Sequence, residues 1–147
     1  MFDRTLATNG LIAILRGLPP EEAESIGSAL YAAGIRIIEV PLNSPQPLRS
    51  LEILRRILPE DCLVGAGTVL SAEQVGIGAM KAWLAVLPPG TALLPVGGIT
   101  PDNMAPYLRA GAAGFGLGSA LYSPGLSADE VGRRALAFIQ ARRAAMV

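Results

Sequence analysis

Gly34-Ile-Arg-Ile-Ile-Glu39-Val-Pro-Leu-Asn43-Ser-Pro45 reads as a helix stop, a buried strand and a polar loop in succession. Side chains alternate across a strand, so Ile35, Ile37, Glu39 and Pro41 share one side. A carboxylate held in such an apolar wall takes a raised pKa, which suits proton shuttling near neutral pH. Gly34 supplies the left-handed stop of the helix before it. The segment is then the second strand of a β/α alternation.

Four more runs have the same form, apolar and then glycine or a polar group: Leu11–Arg16, Gly65–Thr68, Val96–Gly98 and Gly116–Ser119. Strands are expected at 10–16, 35–42, Leu63–Gly67, Ala92–Val96 and 113–118. Helices are expected from the acidic turn after Pro19 and Pro20 to about Ala33, and from Pro45 to Leu58. Leu48, Leu51, Ile53, Leu54 and Ile57 supply the apolar face of the second. Another runs from Ser71, with Gln74 at the capping-box position, to Leu87. Thr100 is the expected N-cap of a helix with Pro101 at its first position. The closing helix is Asp129–Met146, with Arg133, Arg134, Arg142 and Arg143 on a solvated face. A parallel sheet with right-handed crossovers follows.

The expected fold class is α/β, a TIM-type (β/α)8 barrel seen from its phosphate-binding mouth. Five strands and five helices are countable, whereas a closed barrel needs eight of each and typically about 250 residues. An open five-stranded sheet also suits the length. Gly76 and Gly78 fall inside the 71–87 helix, where each costs about 1 kcal/mol relative to alanine. The middle of the chain reads as cut. The expectation is one β/α domain over 1–147, and the family resemblance set out below implies that strands 4–6 are lacking, with an internal deletion or omitted segment near 75–76.

Composition narrows the function. Half the chain is apolar and 16% is charged, as for strands buried on both faces. Twelve acidic and twelve basic residues cancel, which argues against nucleic acid or an anionic membrane as partner. The start carries Asp3 and Arg4 and lacks a signal-peptide core, and no apolar run reaches the roughly 18 residues of a membrane span. Cys62 is the single cysteine, in keeping with a cytoplasmic protein without disulfides. Histidine is absent, which removes Ser-His and Cys-His pairs and nearly every zinc site. The family resemblance set out below implies no metal and no cofactor.

Val96-Gly-Gly-Ile-Thr100 and Gly116-Leu-Gly-Ser119 are glycine-rich turns at strand ends. Glycine lets backbone N–H groups close on a phosphate, and the last two strand-to-helix loops of barrels recurrently form such sites. Gly97, Gly98, Gly118 and Ser119 are therefore candidate phosphate ligands, although glycines there also serve simple tight turns. Arg16 closes the first strand and would project into the same mouth, as an anion ligand or as a solvated strand end. Glu39 is a proton shuttle or a paired buried carboxylate. Thr68 and Asn43 read as ordinary loop residues on spacing alone. Trp83 and Met80 read as core, and Lys81, the single lysine, as a solvated helix residue.

Leu11-Ile-Ala-Ile-Leu-Arg-Gly17, Glu39-Val-Pro-Leu-Asn-Ser-Pro45, Gly65-Ala-Gly-Thr-Val69, Pro95-Val-Gly-Gly-Ile-Thr-Pro101 and Gly114-Phe-Gly-Leu-Gly-Ser-Ala-Leu121 resemble, in order, the 2-keto-3-deoxy-6-phosphogluconate and -galactonate aldolases. Pro41-Leu-Asn-Ser44 resembles the galactonate branch rather than the gluconate one. The resemblance implies a (β/α)8 barrel, usually a homotrimer, that cleaves 2-dehydro-3-deoxy-6-phosphogalactonate to pyruvate and D-glyceraldehyde 3-phosphate in galactonate or galactose breakdown. It implies class I chemistry, in which a lysine forms a Schiff base with the keto group. By motif match, Glu39 shuttles protons, Thr68 lies near the pyruvate portion and Asn43 reads the sugar-acid end. Arg16, Gly97, Gly98, Gly118 and Ser119 hold the phosphate. The family's Lys-hydrophobic-Phe-Pro motif is absent, and Lys81 matches a helical lysine beyond it, so the nucleophile role does not transfer. Two alternatives stand beside the galactonate enzyme: the 6-phosphogluconate-specific aldolase, and a non-catalytic, truncated phosphate-binding or assembly module of the same family.

Overall fold

Four parallel strands, β1 (Leu11–Ile14), β2 (Ile37–Pro41), β3 (Leu63–Gly67) and β4 (Phe115–Leu117), form a sheet in the order β3-β2-β1-β4. This computed structural model describes residues 5, 9–67, 77–86 and 93–146. Helices α1 (Pro20–Ala33), α2 (Pro47–Ile57), α3 (Ile77–Val86), α4 (Met104–Arg109) and α5 (Ala128–Ala145) follow in chain order, with a 3-10 turn at Pro101–Asn103 before α4. The strand order is that of consecutive staves of a β/α barrel, and the fold is an α/β arc of one. The Val75–Gly76 junction and the expected Ser71 cap lie outside the described residues.

Local chemistry accounts for most boundaries. Pro20 opens α1 with Glu21 and Glu22 in its first turn, where a carboxylate complements the helix dipole. Gly34 ends it at φ 107°, its N–H donating to the Leu30 and Tyr31 carbonyls. Pro47 opens α2, and the preceding Gln46 is held at φ 42°, an unusual conformation for a residue with a side chain. Thr100 caps the 3-10 turn through a reciprocal pair with Asn103. The Ser127 hydroxyl accepts the Glu130 N–H at the start of α5.

One face of the sheet carries Leu11, Ala13, Leu15, Ile38, Val40, Phe115 and Leu117, all essentially inaccessible to solvent. They form a single core with Ile26 and Leu30 of α1, Leu54 of α2, and Val131, Ala135 and Phe138 of α5. Alternation sends Ile12, Ile14, Ile37, Glu39 and Gly116 to the other face, where the site lies. In β3 Leu63 and Val64 are half-buried while Gly65 and Ala66 are exposed.

Three expectations are corrected. Ala92–Val96 is not a strand over its described part: a single bridge joins Val96 to Gly116, with 93–95 irregular. Pro95 brings no N–H and a glycine pair follows Val96 at once, so beyond the bridge the segment only accepts, its Leu93 and Pro95 carbonyls taking the Ala113 and Gly116 N–H groups. Arg142 is not on the solvated face. It is 7% exposed, because it falls on the same stripe of α5 as Val131, Ala135, Phe138 and Ile139, and its guanidinium lies against Gly10. Leu48, assigned to the apolar face of α2, is 68% exposed, whereas Leu54 is fully buried. Met80 is core as expected, and the side chain of Trp83 lies outside the described part.

Candidate active site

The strand ends converge on a cleft of about 540 Å³ lined by Ile14, Arg16, Gly17, Val96, Gly97, Gly118, Ser119, Tyr122, Ser123 and Pro124. Its floor is apolar. Gly116 has no side chain, and a Cβ there would sit 2.6 Å from a Val96 methyl and 3.0 Å from the Ile14 terminal methyl. Those two side chains therefore close over β4 beneath the polar rim. Gly97 and Gly98 take φ of 90° and 66°, so both need glycine, and the chain turns sharply at the rim. The Asn103 side-chain amide donates to the Gly98 carbonyl at 2.8 Å and braces that turn from the helix side.

Glu39 lies on the same face, level with Ile14 of β1 and Gly65 of β3. Its carboxyl extends over Gly67, whose missing side chain leaves the space. Burial raises the Glu39 pKa above the ordinary carboxylate value, and the positive charge of Arg16 partly opposes the rise. The carboxyl and the guanidinium thus sense one another across the mouth. A carboxyl shifted upward in this way exchanges protons more readily near neutral pH than a solvated one.

The sequence-derived residues divide as follows. Arg16, Gly97, Gly118 and Ser119 line one cleft, with Gly98 exposed next to it. Asn43 is exposed at the tip of the turn after β2, where Ser44 N–H donates to the Pro41 carbonyl, and it is not among the residues lining the cleft. Thr68 lies outside the described residues. Lys81 is exposed on α3.

Four residues at the site escaped the sequence reading. The Gly17 N–H donates to the Ser44 hydroxyl at 3.0 Å, and Gly17, at φ 81°, lies under the Pro124 ring. Tyr122 is 2% exposed, and its hydroxyl reaches Glu22 of α1 at 3.4 Å. Burial first and then the Glu22 carboxylate raise its pKa, so it stays a neutral phenol. The glycine in Arg16-Gly-Leu-Pro19 is the local signal of a tight turn. Nothing local signals that Ser44 or Pro124 would close upon it.

A family model described as "KDPG and KHG aldolase" matches residues 2–90. The probable 2-dehydro-3-deoxy-6-phosphogalactonate aldolase of Rhizobium meliloti (strain 1021) is 35% identical over 191 positions, covering 89% of this chain and 90% of that protein. The 2-dehydro-3-deoxy-6-phosphogalactonate aldolase of Escherichia coli (strain K12) is 33% identical over 196 positions, covering 92% and 96%. A solved structure described as native KDPGal superposes with a TM-score of 0.86 at 32% identity, covering 92% of this chain and 95% of that one. The chain belongs to the KDPG and KHG aldolase family of lyases. Since 89% of 147 residues is about 131, an alignment of 191 positions leaves about 60 at which the Rhizobium protein has residues and this chain has none.

Proposed function

We propose that this chain carries the phosphate-binding and proton-transfer part of a class I aldolase site for 2-dehydro-3-deoxy-6-phosphogalactonate, whose cleavage yields pyruvate and D-glyceraldehyde 3-phosphate in galactonate breakdown. The observation that carries this reading is the single cleft in which Arg16, Gly97, Gly118 and Ser119 meet, with Arg16 also acting on the half-buried Glu39. Arg16 supplies a planar, permanently charged donor for the phosphate. Gly97 and Gly98 turn the backbone tightly enough for its N–H groups to approach the anion, and Gly118 and Ser119 complete the cradle from β4. Glu39, with its raised pKa, takes and returns the protons of the cleavage. Thr68 at the pyruvate portion and Asn43 at the sugar-acid end are supported by motif resemblance.

Cleavage itself needs an amine. It adds to the keto carbon with loss of water, and the iminium draws in the electron pair of the breaking carbon–carbon bond. Lys81, the one lysine, is exposed on α3 and does not line the cleft. We therefore place the nucleophile in the segment of about 60 positions that this chain lacks, inserted near 75–76. The complete barrel would act in the cytoplasm as a homotrimer. The exposure of Lys81 also favours a second reading, a non-cleaving member that binds phosphorylated keto acids and assembles with other chains.

Calorimetric titration with 2-dehydro-3-deoxy-6-phosphogalactonate and with its gluconate epimer, with pyruvate assayed in the same samples, tests the proposal. Saturable binding that favours the galactonate compound, without pyruvate release, is expected. Absence of binding by either compound would remove the site, and preference for the epimer would make the chain a relative of the 6-phosphogluconate enzyme.

A further inference from the structure

The geometry points to Ser44 as a positioning residue that sets Arg16 in the cleft, an assignment that rests on Arg16 binding the substrate phosphate. Ser44 is 7% exposed although it stands in a loop whose neighbours Asn43 and Pro45 are exposed. Its hydroxyl accepts the Gly17 N–H at 3.0 Å and donates, over a longer 3.5 Å, to the Leu15 carbonyl. Leu15 and Gly17 are the two neighbours of Arg16 in the chain. One hydroxyl from the end of β2 thus fixes the backbone on both sides of the guanidinium-bearing residue.

The surroundings make that arrangement specific. The turn over Pro41–Ser44, closed by Ser44 N–H to the Pro41 carbonyl, directs Leu42 and Asn43 outward while Ser44 is buried. Leu15 N–H donates to the Glu39 carbonyl, so the strand that carries Glu39 and the loop that carries Arg16 are joined just before Ser44 closes above them. On its far side Gly17 meets Pro124, where a Cβ would come within 2.7 Å of the ring, and its φ of 81° excludes an easy rearrangement. The Arg16 turn is held between the Ser44 hydroxyl and the Pro124 ring. Without the hydroxyl, the half-buried Gly17 N–H loses its partner, and the turn shifts to find water. Arg16 would move with it.

Titration of inorganic phosphate into the folded 147-residue protein, by calorimetry, tests this with Ser44→Ala, Ser44→Thr, Arg16→Ala and the double variant Arg16→Ala/Ser44→Ala. Ser44→Ala should weaken phosphate binding about tenfold, as expected when a half-buried donor loses its partner, and Ser44→Thr should keep wild-type affinity. In the Arg16→Ala background the serine change should alter binding by less than about twofold, since its effect runs through the guanidinium. A merely structural serine would weaken binding equally in both backgrounds, and that result overturns the proposal. Unchanged affinity in Ser44→Ala overturns it too, while leaving the phosphate site standing. Wild-type protein that binds no phosphate would overturn the reading of the cleft and the role of Ser44 together. Should Ser44→Ala not fold, Ser44→Cys gives the same comparison, with a thiol that accepts the Gly17 N–H only weakly.

Discussion

The Glu39 carboxyl occupies the space that a side chain on Gly67 would fill: a Cβ built at position 67 collides with the carboxyl group itself. Pro41 of β2 is the residue paired with Gly67, so Glu39 leans two residues along its own strand to lie over the neighbouring one. That placement supplies the burial that raises its pKa.

Gly67→Ala should expel the carboxyl into solvent and return its pKa toward the ordinary value near 4.5. The colliding group is the free end of a flexible side chain, and Gly67 is not a position of positive φ, so stability should fall by less than about 1 kcal/mol. Carbon-13 NMR titration of Glu39 reads the shift. An unchanged pKa in the alanine variant would mean that burial over Gly67 is not its cause.

Glu39 should also depress stability at neutral pH. Its folded pKa is raised, so the proton is bound more tightly in the native state than in the unfolded one. Its contribution is then fully present below the unfolded value near 4.5 and is lost as pH rises through the folded pKa. Glu39→Gln removes that dependence and should be more stable than wild type at pH 7, with the difference shrinking toward pH 4. Urea unfolding at the two values decides it, and a variant equally destabilised at both would refute the sign.

Gly97 sits at φ 90° and Gly98 at φ 66°. Gly97→Ala should cost about 1–2 kcal/mol in backbone strain and abolish phosphate binding together. Gly125→Ala, also at positive φ but outside the cleft lining, should cost similar stability and leave binding intact. Equal binding losses in the two variants would reduce the glycine pair to a turn device.

Glu130 accepts hydrogen bonds from Arg133 at 2.7 and 2.8 Å and from Arg134 at 2.7 Å, and these guanidinium contacts hold its pKa down at about 2. The sign is opposite to that of Glu39. This contribution is present above the unfolded value near 4.5 and is lost as pH falls toward 2. Glu130→Gln should flatten the stability profile between pH 4.5 and 2. Removing the adjacent cap with Ser127→Ala should cost about 1 kcal/mol at every pH.

Locally encoded features were legible in the sequence. The Gly34 stop, the Pro20 helix start and the Thr100 cap each depend on a residue's own backbone preference and stand where expected, whereas α2 opens at Pro47, two residues after the expected Pro45. The raised pKa of Glu39 was legible because a lone carboxylate on an apolar strand loses hydration. Arg142 misled because charge was read without its position on the helix stripe, and Val96 because Pro95 breaks a ladder that apolar composition alone implies. Ser44 was illegible for a different reason. Its partner Gly17 lies 27 residues away, and only the register of β1 on β2 brings them together.

The most direct test of a phosphate-binding site without its own nucleophile is intact-mass spectrometry of the protein after incubation with pyruvate and borohydride, followed by peptide mapping. The expected result is unmodified chain at 15.2 kDa, with Lys81 unlabelled on the surface of α3. A reduced pyruvate adduct mapped to Lys81 would contradict it and make that lysine the Schiff-base residue.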